Sequence, residues 1–502
     1  MSLLAVDIGS SSCKVVAFAA NGEVLAQQSS AYTPEFPRPR FAELNPETFW
    51  NAVCSCCRDV SQGLRDPVRG LAASSHGETF VPVDARGEPL MCAILNQDGR
   101  ATAEAKGCEQ VIGRERLFQI TGHFAHPMYP IPKILWLKKH APEIFQASAS
   151  FLTVIGYCLQ RMGLEPYVDY SLASRFLAFD VMRHSWSDEI LQAIDLDKRR
   201  LPCPVPAGTT VGKLSSSAAA QLGVSVDTPV VLGGHDQPCG ALGSGVIDRS
   251  RVADSMGTYE CLLAVSDAPV LNDAAFSASL NSYCHVVPDK FVTLAYFPAG
   301  IMVKWFHDLL FLHQESGVGT PQSGASEAAN YQLLEARSGP GPTGLCITPH
   351  LIGSCNPEFS PHARGVISGL APGTHRSDIY KGILEGIACE LAIVAELLAK
   401  AVGPFDDIYV TGGGTRSALG LQLRAALTRR KLHVMKRQQA VCLGTAILAG
   451  IAIGQYANPA EAIDAMVEES AEIAPDPAIT ATYEEQLGRY RSLRLAAVKE
   501  FQ

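Results

Sequence analysis

The chain has 502 residues, of which 47% are hydrophobic and 18% are charged, and this composition excludes a disordered tail or a small disulfide-stapled module. Its 50 acidic residues outnumber its 41 lysines and arginines, which gives a formal net charge of −9. Since the densest basic group is only Arg429, Arg430 and Lys431, nucleic acid binding is disfavoured.

The N-terminal sequence has no basic region before its apolar residues, and Asp7 interrupts them, which argues against a secretory signal. The longest uncharged apolar stretch, residues 441–453, is about two-thirds of a membrane span. We therefore expect a cytoplasmic protein.

The 15 cysteines are mostly in apolar surroundings, so reduced and buried thiols are expected. Cys54, Cys56 and Cys57 lack a second pair at zinc-finger spacing.

The first elements along the chain predict a β-hairpin followed by alternating helices and strands. Residues 3–8 and 15–18 are apolar and are separated by the small-residue turn 9–12. Helix-like stretches at 46–64, 101–111 and 134–140 alternate with apolar runs such as 229–232. This alternation indicates an α/β architecture.

The second half begins with another strand–turn–strand pattern, at residues 252–265, which suggests an internal duplication. A domain boundary is expected just after residue 245. A helix at 377–402, a strand at 407–411 and a helix at 418–429 follow. Two polar stretches rich in Gly and Pro occur at 205–213 and 315–343, and only the second is long enough to be a mobile loop. From about residue 458 the pattern predicts a pair of surface helices.

Four glycine-rich turns follow apolar strands, at residues 7–12, 233–237, 256–258 and 411–414. Successive N–H groups and hydroxyls in such turns form concavities that suit phosphate oxygens. The chain contains neither a Walker A motif nor a dinucleotide-binding glycine fingerprint, so P-loop and Rossmann sites are excluded.

Two acidic residues, Asp7 and Asp236, stand at predicted strand ends. One carboxylate could hold Mg²⁺ while the other accepts a proton from an attacking hydroxyl, as phosphoryl transfer requires. Asp236 has an alternative role as the N-cap of a helix that begins near Pro238.

These features resemble the FGGY carbohydrate kinases over nearly the whole chain. Residues 128–140 are similar to the first family signature, with Pro130, Lys133 and Trp136 in step. Residues 365–370 and 378–385 are similar to the second, except that Gly382 replaces Ala or Ser. The resemblance implies an α/β fold with two actin-like (ribonuclease H-like) ATPase domains flanking a catalytic cleft. It also implies an N-terminal sugar-binding domain at 1–246, a nucleotide-binding domain at 247–455 and a helical extension packed on the kinase at 456–502.

The same resemblance implies roles for individual residues. Asp236 would be the catalytic base, and Asp7 the acid associated with Mg²⁺. The ATP-binding positions would be Ser10, Ser11, Ser12 and Lys14 in the first phosphate motif, Gly257 and Thr258 in the second, and Gly300, Gly413 and Ser417 around the nucleotide. Gly420 and Ala426 stand where many members have Trp and Asp.

The sugar-binding strand at residues 74–79 can be aligned in two registers. One selects Ser75 and His76, and the other selects Gly77 and Glu78. Glu78 is favoured because a buried carboxylate needs polar partners, which sugar hydroxyls supply.

Asp236 and Gln237 complete the implied substrate set, although xylulokinases usually have Asn at the position of Gln237, and Asn96 replaces a family Trp. His76 and His235 have an alternative role as hydrogen-bonded strand-end residues. Trp136 and Trp305 are expected in the core.

The function implied is ATP-dependent phosphorylation of a hydroxyl on a small open-chain sugar or polyol, with a ketopentose such as xylulose as the first candidate. The expected cofactors are ATP and Mg²⁺, and the expected partners are the sugar and ATP, without nucleic acid or membrane; a homodimer is left open. Two alternatives are a catalytically silent sugar-sensing protein and an actin-like ATPase.

Overall fold

The computed structural model describes residues 2–311 and 327–500. The strands of the first half are β1 Ser2–Ile8, β2 Ser12–Phe18, β3 Val24–Ala31, β4 Glu43–Leu44, β5 Val68–Ser75, β6 Phe80–Val83, β7 Ala93–Ile94, β8 Ser150–Thr153, β9 Val168–Asp169, β10 Phe179–Asp180, β11 Ser185–Trp186, β12 Pro204–Val205, β13 Thr210–Lys213 and β14 Pro229–His235. Its helices are α1 Pro46–Gln62, α2 Thr102–Ile112, α3 Arg114–Thr121, α4 Pro130–His140, α5 Pro142–Ala147, α6 Val154–Arg161, α7 Tyr170–Ser174, α8 Asp188–Ala193, α9 Ser216–Leu222 and α10 Asp236–Gly243, with a 3₁₀ turn at Lys198–Arg200.

The second half repeats this mixture of strands and helices. Its strands are β15 Arg251–Met256, β16 Tyr259–Ser266, β17 Asn281–Cys284, β18 Phe291–Pro298, β19 Cys346–Thr348, β20 Val366–Ser368, β21 Asp407–Thr411, β22 Lys431–Met435 and β23 Glu469–Ile473. Its helices are α11 Asp273–Ser277, α12 Gly300–Phe311, α13 Glu327–Ala336, α14 Arg376–Val402, α15 Ala418–Thr428, α16 Ala440–Ala452, α17 Pro459–Met466 and α18 Pro477–Glu500, with a 3₁₀ turn at Gly413–Arg416.

The two large sheets share one strand plan. In the first, ordered β13-β14-β5-β1-β2-β3, the antiparallel strands β1, β2 and β3 adjoin the parallel strands β5 and β14. In the second, ordered β17-β18-β16-β15-β21-β22-β23, the antiparallel strands β15, β16 and β18 adjoin the parallel strands β21 and β22. The shared plan confirms both predicted strand–turn–strand units and supports the predicted duplication.

Helix α16 joins the two halves. It packs against α10 and against β1 and β5 of the first sheet. A Cβ atom at Gly243 would lie 1.9 Å from the carbonyl oxygen of Ala440, and one at Gly444 would lie 1.9 Å from that of Cys239. The two helices therefore cross with their backbones in contact, which only glycine allows. In residues 2–311 and 327–500, no helix combines the length and apolarity that crossing a membrane requires.

The C-terminal segment differs from the predicted pair of surface helices. The helices α17 and α18 are present, but β23 lies between them and pairs with β22 at the sheet edge. Helix α18 is also partly buried against α14. Its buried Arg494 donates from Nε to both carboxylate oxygens of Glu390 on α14, at 2.9 and 3.0 Å. Charged residues on an edge strand conceal its β pattern, which explains why the strand was missed.

Two further predictions meet different outcomes. The stretch 315–343 was expected to be a mobile loop, but residues 327–336 form α13, and residues 315–326 lie outside the described ranges. All 15 cysteines are free and most of them are buried, including Cys54, Cys56 and Cys57 on α1. The prediction of buried thiols is confirmed.

Candidate active site

The predicted acids lie at one edge of the first sheet. Strands β1, β5 and β14 are parallel, so their carboxyl ends meet there, with Asp7 beside Ser74 and His235 beside Ser75 in the strand register. Asp236 follows His235 directly. In open α/β sheets this edge is the usual place for a ligand.

Asp236 is the first residue of α10 rather than its N-cap, and the Gln237 N–H is a hydrogen-bond neighbour of its carboxylate. His235 takes the N-cap position without a side-chain hydrogen bond, so the N-cap alternative for Asp236 is wrong. Asp236 Oδ1 makes no hydrogen bond to any described residue, although His235 Nε2 lies 3.2 Å away. About 24% of its side chain is exposed. Burial raises the pKa of Asp236 well above its usual value, and the charges of Asp7 and Glu78 raise it further.

Asp7 is held at the end of β1 by its neighbours on both sides. The Ser74 hydroxyl donates to Asp7 Oδ1 at 3.3 Å, and Lys14 on β2 is its register partner. Burial raises the pKa of Asp7 to about 6, while Ser74 and Lys14 oppose the shift. Because Asp7 raises the pKa of Asp236, the two carboxyls interact across the sheet edge.

The first predicted phosphate turn joins β1 to β2. The Gly9 N–H donates to the Ser12 carbonyl at 2.9 Å, which closes the turn. Ser11 is exposed, and Ser10, Ser12 and Lys14 are partly exposed, so all four polar side chains can reach a ligand.

The second predicted turn, at Gly257 and Thr258, supports the start of α12. The N–H groups of Gly300 and Ile301 donate to the carbonyls of Gly257 and Thr258 at 3.1 and 3.3 Å. A Cβ atom at Gly300 would lie 2.4 Å from the Gly257 oxygen, which is shorter than real contacts allow. Gly300 is therefore required for the helix to approach the turn.

The third predicted turn follows β21. Gly412 adopts a φ of +95°, and a Cβ atom there would lie 2.7 Å from the Met256 carbonyl oxygen, so the turn packs on β15. Ser417 caps α15 by accepting from the Gly420 N–H at 2.9 Å. A Cβ atom at Gly420 would lie 2.8 Å from the Ser417 hydroxyl oxygen, so a larger residue cannot occupy this position without rearrangement.

The second and third turns line a cavity of about 890 Å³ in the second half of the chain, whereas no residue of the first turn is in its lining. Its lining includes five of the residues predicted to contact the nucleotide, namely Gly257, Thr258, Gly300, Gly413 and Ser417. Its size falls within the range of small-molecule sites. The structure thus brings together residues separated by up to 160 positions in the sequence.

Several cavity residues were missed or misassigned from the sequence. Trp305 was expected in the core, but it is 39% exposed and lines the cavity with Lys304 and Tyr331. Glu260 and Arg424 form a buried ion pair in the lining, with Arg424 Nη2 at 2.7 Å from Glu260 Oε2. Helical spacing among apolar neighbours indicated burial for Trp305, and no local signal revealed the ion pair. Trp136, by contrast, is partly buried against the core of the first half, and its ring lies edge-on to that of Phe41.

Ser75 and His76, selected by one register of the sugar strand, are engaged within the protein. His76 Nδ1 donates to the Ile8 carbonyl at 2.9 Å, and Nε2 accepts from the Thr79 hydroxyl at 2.7 Å. Ser75 Oγ donates to the His76 carbonyl at 3.0 Å. Both side chains are buried, and burial lowers the pKa of His76, so His76 acts as the strand-end support that was its alternative role.

Glu78, selected by the other register, occupies a constrained position beside Asp236. Its backbone has a φ of +65°, a left-handed conformation that is rare outside glycine. Lys133 Nζ donates to the carbonyls of Glu78 and Leu95 at 3.0 and 2.7 Å and holds this conformation in place. Lys133 is fully buried, and burial lowers its pKa to about 7. Strained backbone of this kind is concentrated at functional sites.

The carboxylate of Glu78 is paired with Arg175, which the sequence did not single out. Arg175 Nε donates to Glu78 Oε1 at 2.5 Å, and Nη2 contacts the same oxygen. Gly77 makes this approach possible, since a Cβ atom there would lie 3.1 Å from Arg175 Cγ and 3.0 Å from His235 Cδ2. Glu78 is thus buried and bonded within the protein, as His76 is, and the preference for the Glu78 register stays a prediction.

The second half of the chain packs next to this site. The negative charge of Asp236 contributes, after burial, to the raised pKa of Cys261 on β16. Tyr296 on β18 senses the charge of Arg175, which opposes the rise in the Tyr296 pKa caused by burial. The direct contacts between the halves here are made by Tyr283 on β17: His235 Nδ1 lies 3.1 Å from its hydroxyl, and Arg175 Cζ lies 5.1 Å from its ring centroid.

The donor set fits a magnesium nucleotide. Mg²⁺ in kinase sites is bound by one or two carboxylates together with substrate phosphates. Asp7 supplies a partly buried carboxylate next to the first turn, and Asp236 Oδ1 is a buried oxygen that no residue of the described ranges satisfies. Asp7 would hold the metal, which would neutralise phosphate charge there.

Family models match both halves of the chain. The model described as the FGGY family of carbohydrate kinases, N-terminal domain, matches residues 2–243, and the C-terminal domain model matches residues 252–453. Among curated relatives, the xylulose kinase of Escherichia coli (strain K12) is 28% identical over 98% of both chains. The gluconokinase of Bacillus subtilis (strain 168) is 27% identical over 90% of this chain and 88% of its own.

Solved structures show the same fold. A ligand-bound xylulose kinase from Lactobacillus acidophilus superposes with a TM-score of 0.89 at 24% identity, covering 100% of this chain and 99% of that one. A gluconate kinase from the same organism gives a TM-score of 0.88 at 24% identity, with the same coverage. The fold is therefore the two-domain, actin-like α/β architecture expected from the sequence.

Proposed function

The chain belongs to the FGGY family of carbohydrate kinases, and we propose that it transfers the γ-phosphoryl group of ATP to a hydroxyl of a small open-chain sugar or polyol, with Mg²⁺ bound to the nucleotide. A ketopentose such as xylulose is the first candidate, because several curated relatives are named xylulose kinases. A gluconokinase is similarly close, so the sugar has to be decided by assay.

Asp236 carries the proposal. Its carboxylate stands at the carboxyl edge of the first sheet, with an oxygen that no described residue satisfies and a pKa raised by burial. A general base is most effective when its pKa is near the working pH, and burial moves a carboxyl in that direction. In the proposed reaction Asp236 takes the proton of the sugar hydroxyl.

The hydroxyl oxygen then forms a bond to the γ-phosphorus, and the bond from that phosphorus to the β-bridging oxygen breaks, which releases ADP. We assign the polar groups of Ser10, Ser11, Ser12 and Lys14 to the phosphates from one side, and Thr258 from the other. Asp7 would hold Mg²⁺, which would supply charge neutralisation on the phosphates. Such positioning and charge stabilisation account for most of the catalysis in phosphoryl transfer.

The nucleotide would occupy the 890 Å³ cavity with Gly257, Gly300, Gly413 and Ser417 against it. The sugar would bind at the first-half side of the cleft, near Glu78, Asp236 and Gln237. Closure of the cleft would exclude water, which otherwise competes with the sugar for the γ-phosphoryl group.

A coupled ADP-release assay over ketopentoses, ketohexoses, polyols and aldonates tests the proposal. We expect ADP release that depends on one of these compounds, together with a phosphorylated product of matching mass. ADP release that is independent of any sugar would favour the ATPase alternative. Sugar binding without turnover across the panel would favour the silent sensor.

A further inference from the structure

The sugar side of the cleft contains a guanidinium that is already neutralised. Nε and Nη2 of Arg175 both contact Glu78 Oε1, and each side chain is only 4% exposed. The rings of Tyr129 and Tyr283 flank the guanidinium, with its Cζ 5.2 and 5.1 Å from their centroids. Burial opposes the charge on Arg175, but Glu78 and the two tyrosines raise its pKa, so the guanidinium stays charged within its ion pair with Glu78.

One nitrogen of this guanidinium has no hydrogen bond of ordinary geometry, although the Tyr129 hydroxyl is a hydrogen-bonding neighbour of Arg175. Arg175 Nη1 is buried and makes no hydrogen bond to any residue in the described ranges. A buried donor left unsatisfied is costly, so such an atom points to a missing polar partner. Arg175 lies near the proposed base, because Arg175 Cγ and His235 Cδ2, in the residue before Asp236, both lie within 3.1 Å of one Cβ position at Gly77, and both residues contact Tyr283.

The position of Arg175 is built into the surrounding elements. Arg175 directly follows α7 as its C-cap residue. The Ser171 hydroxyl of that helix accepts from the N–H of His235, the residue before Asp236, at 2.9 Å. Gly77 leaves the space that the Arg175 side chain fills. The guanidinium is thus fixed relative to both the sugar strand and the base.

We propose that Arg175 is a specificity-determining residue, which, neutralised by Glu78, donates from Nη1 to an uncharged substrate oxygen and makes the site select neutral polyols and ketoses over aldonates. The inference rests on the proposed function. An aldonate would bring a further negative charge beside Glu78 and Asp236, where the guanidinium is already paired. Rejection by unpaired like charge is an established route to specificity.

Matched pairs of compounds with one carbon skeleton test the wild-type enzyme. Ribitol against ribonate, arabinitol against arabinonate and xylitol against xylonate differ only in the terminal carboxylate. For each pair whose polyol the enzyme phosphorylates, we expect kcat/KM for the acid to be at least ~10²-fold lower than for the polyol, which corresponds to about 2.7 kcal/mol. Isothermal titration calorimetry of the same pairs measures the selectivity without requiring phosphoryl transfer.

Charge variants test the cause. Glu78→Gln keeps the side-chain shape but leaves Arg175 unneutralised, so the acid-to-polyol ratio of kcat/KM should rise at least ~10-fold even if both rates fall. The control Glu78→Asp keeps the charge and should lower activity without changing that ratio. Arg175→Lys keeps the charge without the planar fork and should raise KM for the polyol at an unchanged ratio.

The inference would be overturned by a wild-type enzyme that does not prefer the polyol, or by equal losses on both members of a pair in folded Glu78→Gln. If that variant does not fold, the wild-type ratio and Arg175→Lys decide the question. Phosphorylation of aldonates as readily as of their polyols would refute the selectivity and leave the kinase function intact. Selective binding of the polyol without turnover would refute the proposed function and leave the selectivity intact.

Discussion

The contact between α12 and the turn at Gly257 predicts that one methyl group at Gly300 will impair ATP use. The Cβ of Gly300→Ala would lie 2.4 Å from the Gly257 carbonyl oxygen, so the start of the helix must retreat by about 1 Å to reach an ordinary van der Waals separation. A misplacement of about 1 Å in a binding element can cost ~10²-fold in rate. We expect kcat/KM for ATP to fall by about 10- to 100-fold, with KM for the sugar unchanged.

Initial rates measured against ATP at saturating sugar, and against sugar at saturating ATP, separate these two effects. Gly107→Ala is the matched control, because Gly107 lies inside α2 and a Cβ atom there has no neighbour within 4 Å. It should stabilise its helix by up to about 1 kcal/mol and leave the rates unchanged. Unaltered ATP kinetics in a folded Gly300→Ala protein would refute the assignment of this turn to the nucleotide.

The remaining predictions concern the base, the sugar strand and the nucleotide cavity. The kcat/KM for the sugar should fall as the pH drops through the raised pKa of Asp236, because only the ionised carboxylate accepts a proton. Asp7→Asn removes a charge that raises this pKa, so the acidic side of the remaining pH–rate profile should move to lower pH. An unmoved profile would contradict the interaction between the two carboxyls. Lys133→Met removes the hydrogen bond to the Glu78 carbonyl and should raise KM for the sugar by about 5- to 30-fold, the equivalent of about 1–2 kcal/mol. A rise in KM for ATP instead, in steady-state kinetics, would contradict the role of Lys133 in holding the sugar strand. Trp305→Ala should weaken the affinity for ATP, measured by calorimetry, by about tenfold or more, because the indole lines the cavity where the adenine would stack. Leu309→Ala removes an exposed side chain of the same helix and should leave the affinity unchanged.

Much of the fold could be predicted because its signals are local. The apolar strands at 3–8 and 252–256, each followed by a small-residue turn, revealed both hairpins and the repeat. The edge strand β23 could not be seen in the same way, since it carries Glu469 and Glu472 and four of its five residues are exposed.

The site could be predicted only where a motif marks it. Asp7 and Asp236 follow apolar strands next to glycine-rich turns, and the parallel register brings their carboxyls into interaction. Arg175 ends a five-residue helix without any motif, and its pairing with Glu78 depends on packing between segments 97 residues apart. Trp305 shows the opposite problem, because its apolar neighbours resemble a core helix although its own face lines a cavity.

The turnover of Asp236→Asn tests the central claim most directly. Asn preserves the shape of the side chain but cannot take up the hydroxyl proton, so kcat should fall by at least ~10²-fold while calorimetry shows ATP binding largely intact. Turnover close to that of the unaltered protein, measured with the same sugar and at the same pH, would contradict the account.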